Sequence, residues 1–281
     1  MKFGVIPSAE KDSGFVYTAE VCRRLLQLRV TVLMPTFTAS QVQMDGLVFL
    51  ETDEIYNSAD LIIVLGGDGT ILHAAKLAAG RQLPVLGINV GRLGFMAGLE
   101  LNELDRLARL VQGDYELDSR MMLAVHVGGV PVSYALNDVV ITKGAISRLI
   151  DIRVNCNQRL VGNYRADGLI VFTPTGSTAY SLSAGGPVID PEFESIGLTP
   201  ICPHSLISRT ILFSPDAEIC MFPEQLEERE AYLLLDGKQV MRLECGMQVR
   251  VVRSSRKTHL VRLKDISFYE VLNNKMNERS I

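Results

Sequence analysis

The segment Leu61 to Thr70, LIIVLGGDGT, constrains this chain more than any other. Five apolar residues in a row are too few to span a bilayer and show no alternation. They predict a strand buried on both faces, as in a parallel sheet. Gly66, Gly67 and Gly69 follow at once, with ILHAAKLAAG behind them in a helical pattern. A strand that ends in a tight glycine turn at the start of a helix offers backbone N–H groups to a phosphate. Asp68 is the one carboxylate in that turn. It stands at the carboxyl end of the strand, the edge at which open α/β sheets bind ligands.

The flanking residues repeat the strand–helix theme. KFGVI and RVTVLM read as strands, and Phe15, Ala19, Cys22 and Leu26 fall on one helical face between them. Pro35 to Asp60 is weakly patterned and reads as a mobile connection. The helix after the glycine turn is expected over Thr70 to Ala79, with Gly80 as its C′ residue. LPVLGINVGRLGFM predicts a strand that runs into a second glycine-rich loop. Asn102 is expected to cap a helix, with Asp105 three residues on, a stripe of Leu104, Leu107, Ala108 and Val111, and Gly113 at its end. Residues 1–113 therefore predict an α/β N-terminal domain with a Rossmann-like, doubly wound parallel sheet.

After Gly113 the period changes. MMLAVHV, Gly128 and Gly129, then VPVSYALNDVVI predict strand, turn and strand, and NCNQRLVGNY predicts a hairpin. GLIVF, RTILF, AEICMF, AYLLL, MQVRVVRS and THLVRL continue in short strands. The basic run Arg253 to Lys257 reads as a solvated hairpin tip. Residues 114–264 thus predict a β-rich, sandwich-like C-terminal domain, with 265–281 as a terminal segment.

Composition narrows the function. At 47% hydrophobic and 21% charged the chain is globular in type. A formal charge of −4 disfavours nucleic acid or an anionic membrane as partner. There is no apolar run of spanning length and no signal-like start, so a cytoplasmic protein is expected. Five scattered cysteines without a C-x-x-C pair, and four scattered histidines, argue against a disulfide framework or a zinc site. GGDGTI lacks the third glycine of the dinucleotide fingerprint, and neither a P-loop nor a G-x-S-x-G elbow occurs.

What remains is YRADGLIVFTPTGSTAYSLSAGGPVI, Tyr164 to Ile189, crowded with hydroxyls at Thr173, Thr175, Ser177, Thr178, Ser181 and Ser183. Buried hydroxyls must be hydrogen-bonded. A ligand rich in ribose and phosphate oxygens would supply partners, and so would a serine-lined turn leading into a helix. Together GGDGT, LNDVVI, RADGLIVFTPTGSTAYSLSAGGP, PHSL and RLKDISFYEVL, in this order, resemble the NAD kinases from Gly66 to about Asp265. GGDGT alone is shared with diacylglycerol kinases and relates to phosphofructokinases.

The resemblance implies phosphoryl transfer from ATP, with Mg²⁺, to the adenosine 2′-hydroxyl of NAD, giving NADP. It also implies a homodimer or homotetramer, and a terminal segment that packs back on the first domain. It makes Asp68 the proton acceptor, sets Gly69 against the dinucleotide, and gives His73, on the first helical turn, a ligand contact. Phe95 would pack on adenine or ribose, and Asn137 and Asp138 would hold the ribose or nicotinamide portion. Arg148, Arg165 and Asp167 would line the site, some of them serving a neighbouring subunit. Thr175 and the run Thr178, Ala179, Tyr180, Ser181, Leu182 and Ser183 would wrap the dinucleotide, and Gln239 would be a late contact. Thr210 stands where many relatives have proline. Two alternatives stay open: a kinase of a lipid or sugar hydroxyl, and a non-catalytic NADP-binding sensor.

Overall fold

The computed structural model describes residues 1–91, 94–145, 148–205, 208–226, 229–264 and 266–278. Arg92 and Leu93 of the second glycine loop, Leu206 of PHSL, Asp265, and the last three residues of the terminal segment lie outside the described residues. The chain divides into two compact units. One holds Met1–Ser119 together with the chain from Lys257 onward; the other is Arg120–Arg256.

In the first unit β1 (Lys2–Pro7), β2 (Thr31–Pro35), β3 (Leu47–Leu50), β4 (Leu61–Gly66) and β5 (Pro84–Asn89) form a parallel sheet in the order β5-β4-β1-β2-β3. Along the free side of β5 lie the short β6 (Leu99–Glu100) and, at the other end, His259 and Leu260. β4 is the apolar run of the sequence. It lies between β1 and β5, and all six of its residues are buried. Each such Leu or Ile side chain stabilises the fold by about 1.5–3 kcal/mol. The crossovers carry α1 (Val16–Gln27), α2 (Thr52–Ser58) and α3 (Asp68–Ala79). Phe3, Val5, Ile63 and Leu65 share a core with Val21, Cys22 and Leu25 of α1. On the opposite face Gly4 abuts Ile55 of α2, and Gly87 abuts Ile71 of α3. The sheet is therefore covered on both sides. The chain steps outward from β1 to β3 and then jumps to the far side of β1 to make β4, so a switch point falls at β1/β4.

Several local expectations change. The buried face of α1 is Thr18, Val21, Cys22 and Leu25; of the expected stripe, Ala19 and Leu26 are only partly buried and Phe15 is buried just ahead of the helix. The rotation is set upstream, where Asp12 accepts the N–H of Tyr17 (3.1 Å) and Thr18 (2.8 Å) and the Thr18 hydroxyl (2.6 Å). Pro35 to Asp60 is not a mobile connection. It holds β3 and α2, whose four and seven residues are too short to show a period, and α2 opens with a reciprocal Glu51–Glu54 capping box. α3 starts two residues earlier than expected, at Asp68, and Gly80 is right-handed (φ −62°), while Gln82 takes the left-handed turn (φ 55°). Glu100 and Glu103, not Asn102, form the capping box of a 3-10 turn, Leu101–Arg106, that leads into α4 (Leu107–Gln112). Gly113 ends α4 at φ 74°, as its sequence position predicts.

The second unit is an antiparallel sandwich, whose first strand begins, and whose last strand ends, within the first unit. The strands are β7 (Glu116–Val127), β8 (Val130–Ala135), β9 (Asp138–Lys143), β10 (Ile150–Cys156), β11 (Arg159–Ala166), β12 (Gly168–Phe172), β13 (Ile196–Ile201), β14 (Ile211–Phe213), β15 (Ile219–Glu224), β16 (Ala231–Leu235), β17 (Lys238–Leu243) and β18 (Val249–Arg262). One sheet runs β14-β13-β12-β9-β16-β17, and the other contains β11-β10-β15-β18; β7 and β8 form a hairpin. Val139, Ile141, Leu169, Val171 and Leu233 of the first sheet pack against Ile152, Val154, Ile219, Met221 and Val251 of the second. On its outer face the six-stranded sheet buries Val140, Ile170 and Phe172 under Ile189, so β12 is buried on both sides. The β10–β11 hairpin turns at Asn157 and Gln158, both at positive φ. Arg253 to Lys257 is no hairpin tip. It lies inside β18, where Ser254 points inward, Arg253 pairs with Glu194 at 2.8 Å, and Arg256 lies over the Tyr134 ring. The last described element, α6 (Phe268–Glu278), belongs to the first unit.

Candidate active site

At the carboxyl end of β4 the backbone passes from strand to helix through one extended residue. Gly67 caps α3, and its carbonyl accepts the N–H groups of Thr70 (3.0 Å) and Ile71 (3.1 Å). Asp68 is the first residue of α3. Its Oδ2 accepts the Phe95 N–H at 3.0 Å and its Oδ1 accepts the Met96 N–H at 3.1 Å. Gly94 makes this possible, because a Cβ there would collide with Asp68 Oδ1. The two glycine-rich segments are thus one device, in which the second loop fixes the carboxylate of the first. Among the described residues, no atom lies within 4 Å of where a Cβ would stand on Gly67 or Gly69, so the glycines leave backbone uncovered there.

One further group reaches this carboxylate, and a second packs on the neighbouring Phe95. Lys275 Nζ of α6 lies 3.6 Å from Asp68 Oδ2 and 4.7 Å from the centre of the Phe95 ring. Phe268 packs on Phe95 with ring centres 6.2 Å apart. Phe268 stands in the family-like RLKDISFYEVL motif, but Lys275 carried no sequence signal. His73 is exposed on the second turn of α3 rather than the first, because the helix starts early. The structure brings Asp68, Gly69 and Phe95 together and leaves His73 on the helix surface.

In the second unit the loop after β12 forms a 3-10 turn, Thr175–Thr178, then a single helical turn α5 (Tyr180–Ser183). Most of its hydroxyls find partners within the protein. Thr173 Oγ1 donates to the Leu136 carbonyl at 2.6 Å, Ser177 Oγ to that of Pro174 at 2.7 Å, and Thr178 Oγ1 to that of Thr175 at 3.3 Å. Arg120 donates to Thr175 Oγ1 at 3.2 Å, and Ser181, Thr199 and Thr210 form a hydroxyl chain with links of 2.9 Å. Thr210, where proline was the expected family residue, supplies a hydroxyl to that chain. The hydroxyls therefore build the loop, and its exposed surface is left to backbone and to Tyr180 and Ser183. Gly176 cannot carry a side chain, since a Cβ would strike the Asn137 backbone. Asn137 Oδ1 is buried with no hydrogen-bond partner in the described structure.

Tyr180 draws the acidic residues together. Partial burial, then the neighbouring Cys202, Asp167 and Asp138, push its phenol above the ordinary value. Asp138 is buried at the start of β9, and Asp167 is held by Lys143 at 3.0 Å. Arg148 and Gln239 are exposed. Arg165, also exposed, lines an open cleft of about 340 Å³ with Tyr164, Pro203, Ser205, Ser208 and Arg209. No group of three or more His, Cys, Asp or Glu among the described residues could hold a metal. No helix among them is long and apolar enough to cross a membrane.

The family model described as the ATP-NAD kinase N-terminal domain matches residues 3–115, and that of the ATP-NAD kinase C-terminal domain matches 136–263. An NAD kinase of Thermoanaerobacter sp. is 40% identical over 99% of both chains, and one of Geotalea daltonii is 45% identical over 80% of both. This chain belongs to the NAD kinase family. It is accordingly an enzyme, a phosphotransferase. The crystal structure of an NAD kinase from Archaeoglobus fulgidus in complex with ATP superposes with a TM-score of 0.76 at 26% identity, covering both chains in full. A yeast NADH kinase complexed with NADH gives a TM-score of 0.91, covering 99% of this chain and 87% of that one, and at 24% identity supports the NAD kinase fold alone.

Proposed function

We propose that this member of the family transfers the γ-phosphoryl group of ATP to the adenosine 2′-hydroxyl of NAD and releases NADP. One observation carries the reading: Asp68 begins a helix at the carboxyl edge of β4, fixed by two backbone N–H groups beside open glycine backbone. A carboxylate is too weak a base to ionise a sugar hydroxyl in the ground state. Phosphoryl transfer runs through a loose transition state, and the hydroxyl becomes acidic only as the new P–O bond forms. Asp68 orients the 2′-oxygen in line and takes its proton late, as P–O bonding proceeds. The start of α3 presents N–H groups and a positive dipole end to the phosphate oxygens.

In the second unit, Tyr180 offers an exposed ring for stacking, and Asn137 an unanswered acceptor for an N–H of the dinucleotide. Asp138, Asp167, Thr175 and the 178–183 loop surround these two groups in our assignment. Among the described residues no carboxylate or imidazole cluster near Asp68 would cage a metal; Mg²⁺ would enter with ATP and offset charge on its phosphates. A homodimer or homotetramer rests on the family resemblance, and light scattering behind size exclusion tests it.

Pure protein incubated with ATP, Mg²⁺ and NAD should form NADP. No NADP, with turnover of a sugar or lipid alcohol instead, would sink the reading. Asp68→Asn should lower kcat by about 10²–10⁴ while NAD affinity changes far less; a variant with near-normal turnover removes Asp68 from its role.

A further inference from the structure

We infer that Asp236 is a positioning residue that holds residues 136–138 in place for the dinucleotide. This rests on the reading above, in which Asn137 and Asp138 face NAD. Three backbone donors converge on the one carboxylate. Oδ2 accepts the Leu136 N–H at 3.1 Å, and Oδ1 accepts those of Asn137 (2.7 Å) and Asp138 (3.1 Å). The Asp236 N–H in turn donates to the Asp138 carbonyl at 3.0 Å. Hydrogen bonds to an ionised acceptor are the stronger kind.

The same three residues are gripped from the loop after β12. Thr173 Oγ1 donates to the Leu136 carbonyl at 2.6 Å, the Thr173 N–H donates to the Asn137 carbonyl at 2.9 Å, and Gly176 rests on the Asn137 backbone. With its main chain clamped on both sides, Asn137 keeps only side-chain freedom. Its Oδ1 is buried and has no partner in the described structure, an arrangement that is costly unless a ligand N–H answers it. An exocyclic amine or carboxamide of a dinucleotide has that chemistry.

The simpler account is that Asp236 is present for the turn alone. It stands at φ 49° with Gly237 at φ 76° between β16 and β17, a hairpin turn that favours Asn, Asp or Gly. That account is served equally by asparagine and asks nothing of a carboxylate aimed at three N–H groups. The two accounts part on one substitution. Asp236→Asn keeps a residue at ease with left-handed backbone, removes the charge, and turns one acceptor oxygen into a donor that faces N–H groups.

The experiment measures dissociation constants for NAD and for ATP by calorimetry, with the melting temperature, for the wild type, Asp236→Asn, Asn137→Ala and the double variant. Positioning requires NAD to bind about tenfold more weakly in Asp236→Asn, with ATP affinity held within about twofold. It also requires that the double variant lose less NAD affinity than the two single losses multiplied, since removing the Asn137 side chain removes one of the contacts that Asp236 positions. An unchanged NAD affinity, an equal loss for ATP, or losses that multiply in the double variant each overturn the inference. Should Asp236→Asn fail to fold, Thr173→Val loosens the same residues from the other side and must give the same NAD-selective loss; unchanged NAD affinity there overturns it too. A wild type that binds NAD but forms no NADP sinks the kinase reading and leaves positioning readable in the binding constants. One that binds no NAD overturns the inference itself.

Discussion

Gly94 shows how little room the Asp68 site leaves. A methyl group at that position must displace the carboxylate that Phe95 and Met96 hold. Gly94→Ala should therefore cost about tenfold or more in kcat, because misplacing a reacting group by an ångström removes much of the benefit of orientation. Steady-state kinetics with saturating NAD and ATP check this, and unchanged kcat would mean that the carboxylate moves freely. Tyr180 makes the complementary case. The residue is 44% exposed and belongs to none of the buried core clusters. Tyr180→Ala should weaken NAD binding by about fivefold to twentyfold, the value of one lost stacking contact, with ATP affinity preserved. Equal losses for both ligands would contradict its placement. Cys22 gives a pH-dependent signature of the first core. Burial pushes its thiol up to about 12, against about 8.5 in an unfolded chain. As pH rises between these values the unfolded chain releases a proton that the folded chain keeps. The stability is therefore whole below the unfolded value and is lost toward the folded one, at most about 1.4 kcal/mol per pH unit. Denaturant unfolding at about pH 8 to 10 should fall more steeply for the wild type than for Cys22→Ala; parallel curves would place the thiol in contact with water.

At the scale of elements, the crossover helices and α6 differ in how they are held. α3 buries Ile71, Ala74, Ala75, Ala78 and Ala79 against the sheet. α6 rests on the Phe268–Phe95 contact and on Lys275, while its Tyr269 is 60% exposed. Few buried apolar contacts mean a low local opening energy. The amides of α6 should exchange with deuterated water well before those of α3. Equal protection would show that α6 is locked over Asp68 and Phe95. The elements also show which sequence signals were readable. β4, α3 and the hairpin at Asn157 declare themselves through an unbroken apolar run, a helical repeat and turn residues with left-handed backbone. β3 and α2 do not, because four and seven residues hold only about two repeats of the strand or helix period. The basic run at Arg253 read as a hairpin tip because strict alternation breaks there: the buried Val251, Ser254 and Thr258 stand three and four residues apart, with charged residues between them.

For the whole molecule the functional reading makes a thermodynamic demand. A ligand that binds only the folded chain stabilises it by about 2.7 kcal/mol at a hundred times its dissociation constant. For a chain of this size that is a rise in melting temperature of roughly 5–10 °C. NAD and NADP should each produce such a shift in a thermal melt, and no shift from either would contradict dinucleotide binding. The sequence by itself determined the parallel sheet, the β-rich half and the acidic residue in its glycine turn, because burial on two faces, alternation and turn chemistry are local and leave their period in the chain. Only the tertiary structure decided that Gly94 guards Asp68, that Lys275 reaches the same carboxylate, and that Asp236 gathers the amides of residues 136–138. Those contacts join positions 26, 207 and about 100 residues apart. No pattern along the chain encodes them, since a hydrogen bond between distant residues exists only once separate strands and helices have been packed side by side.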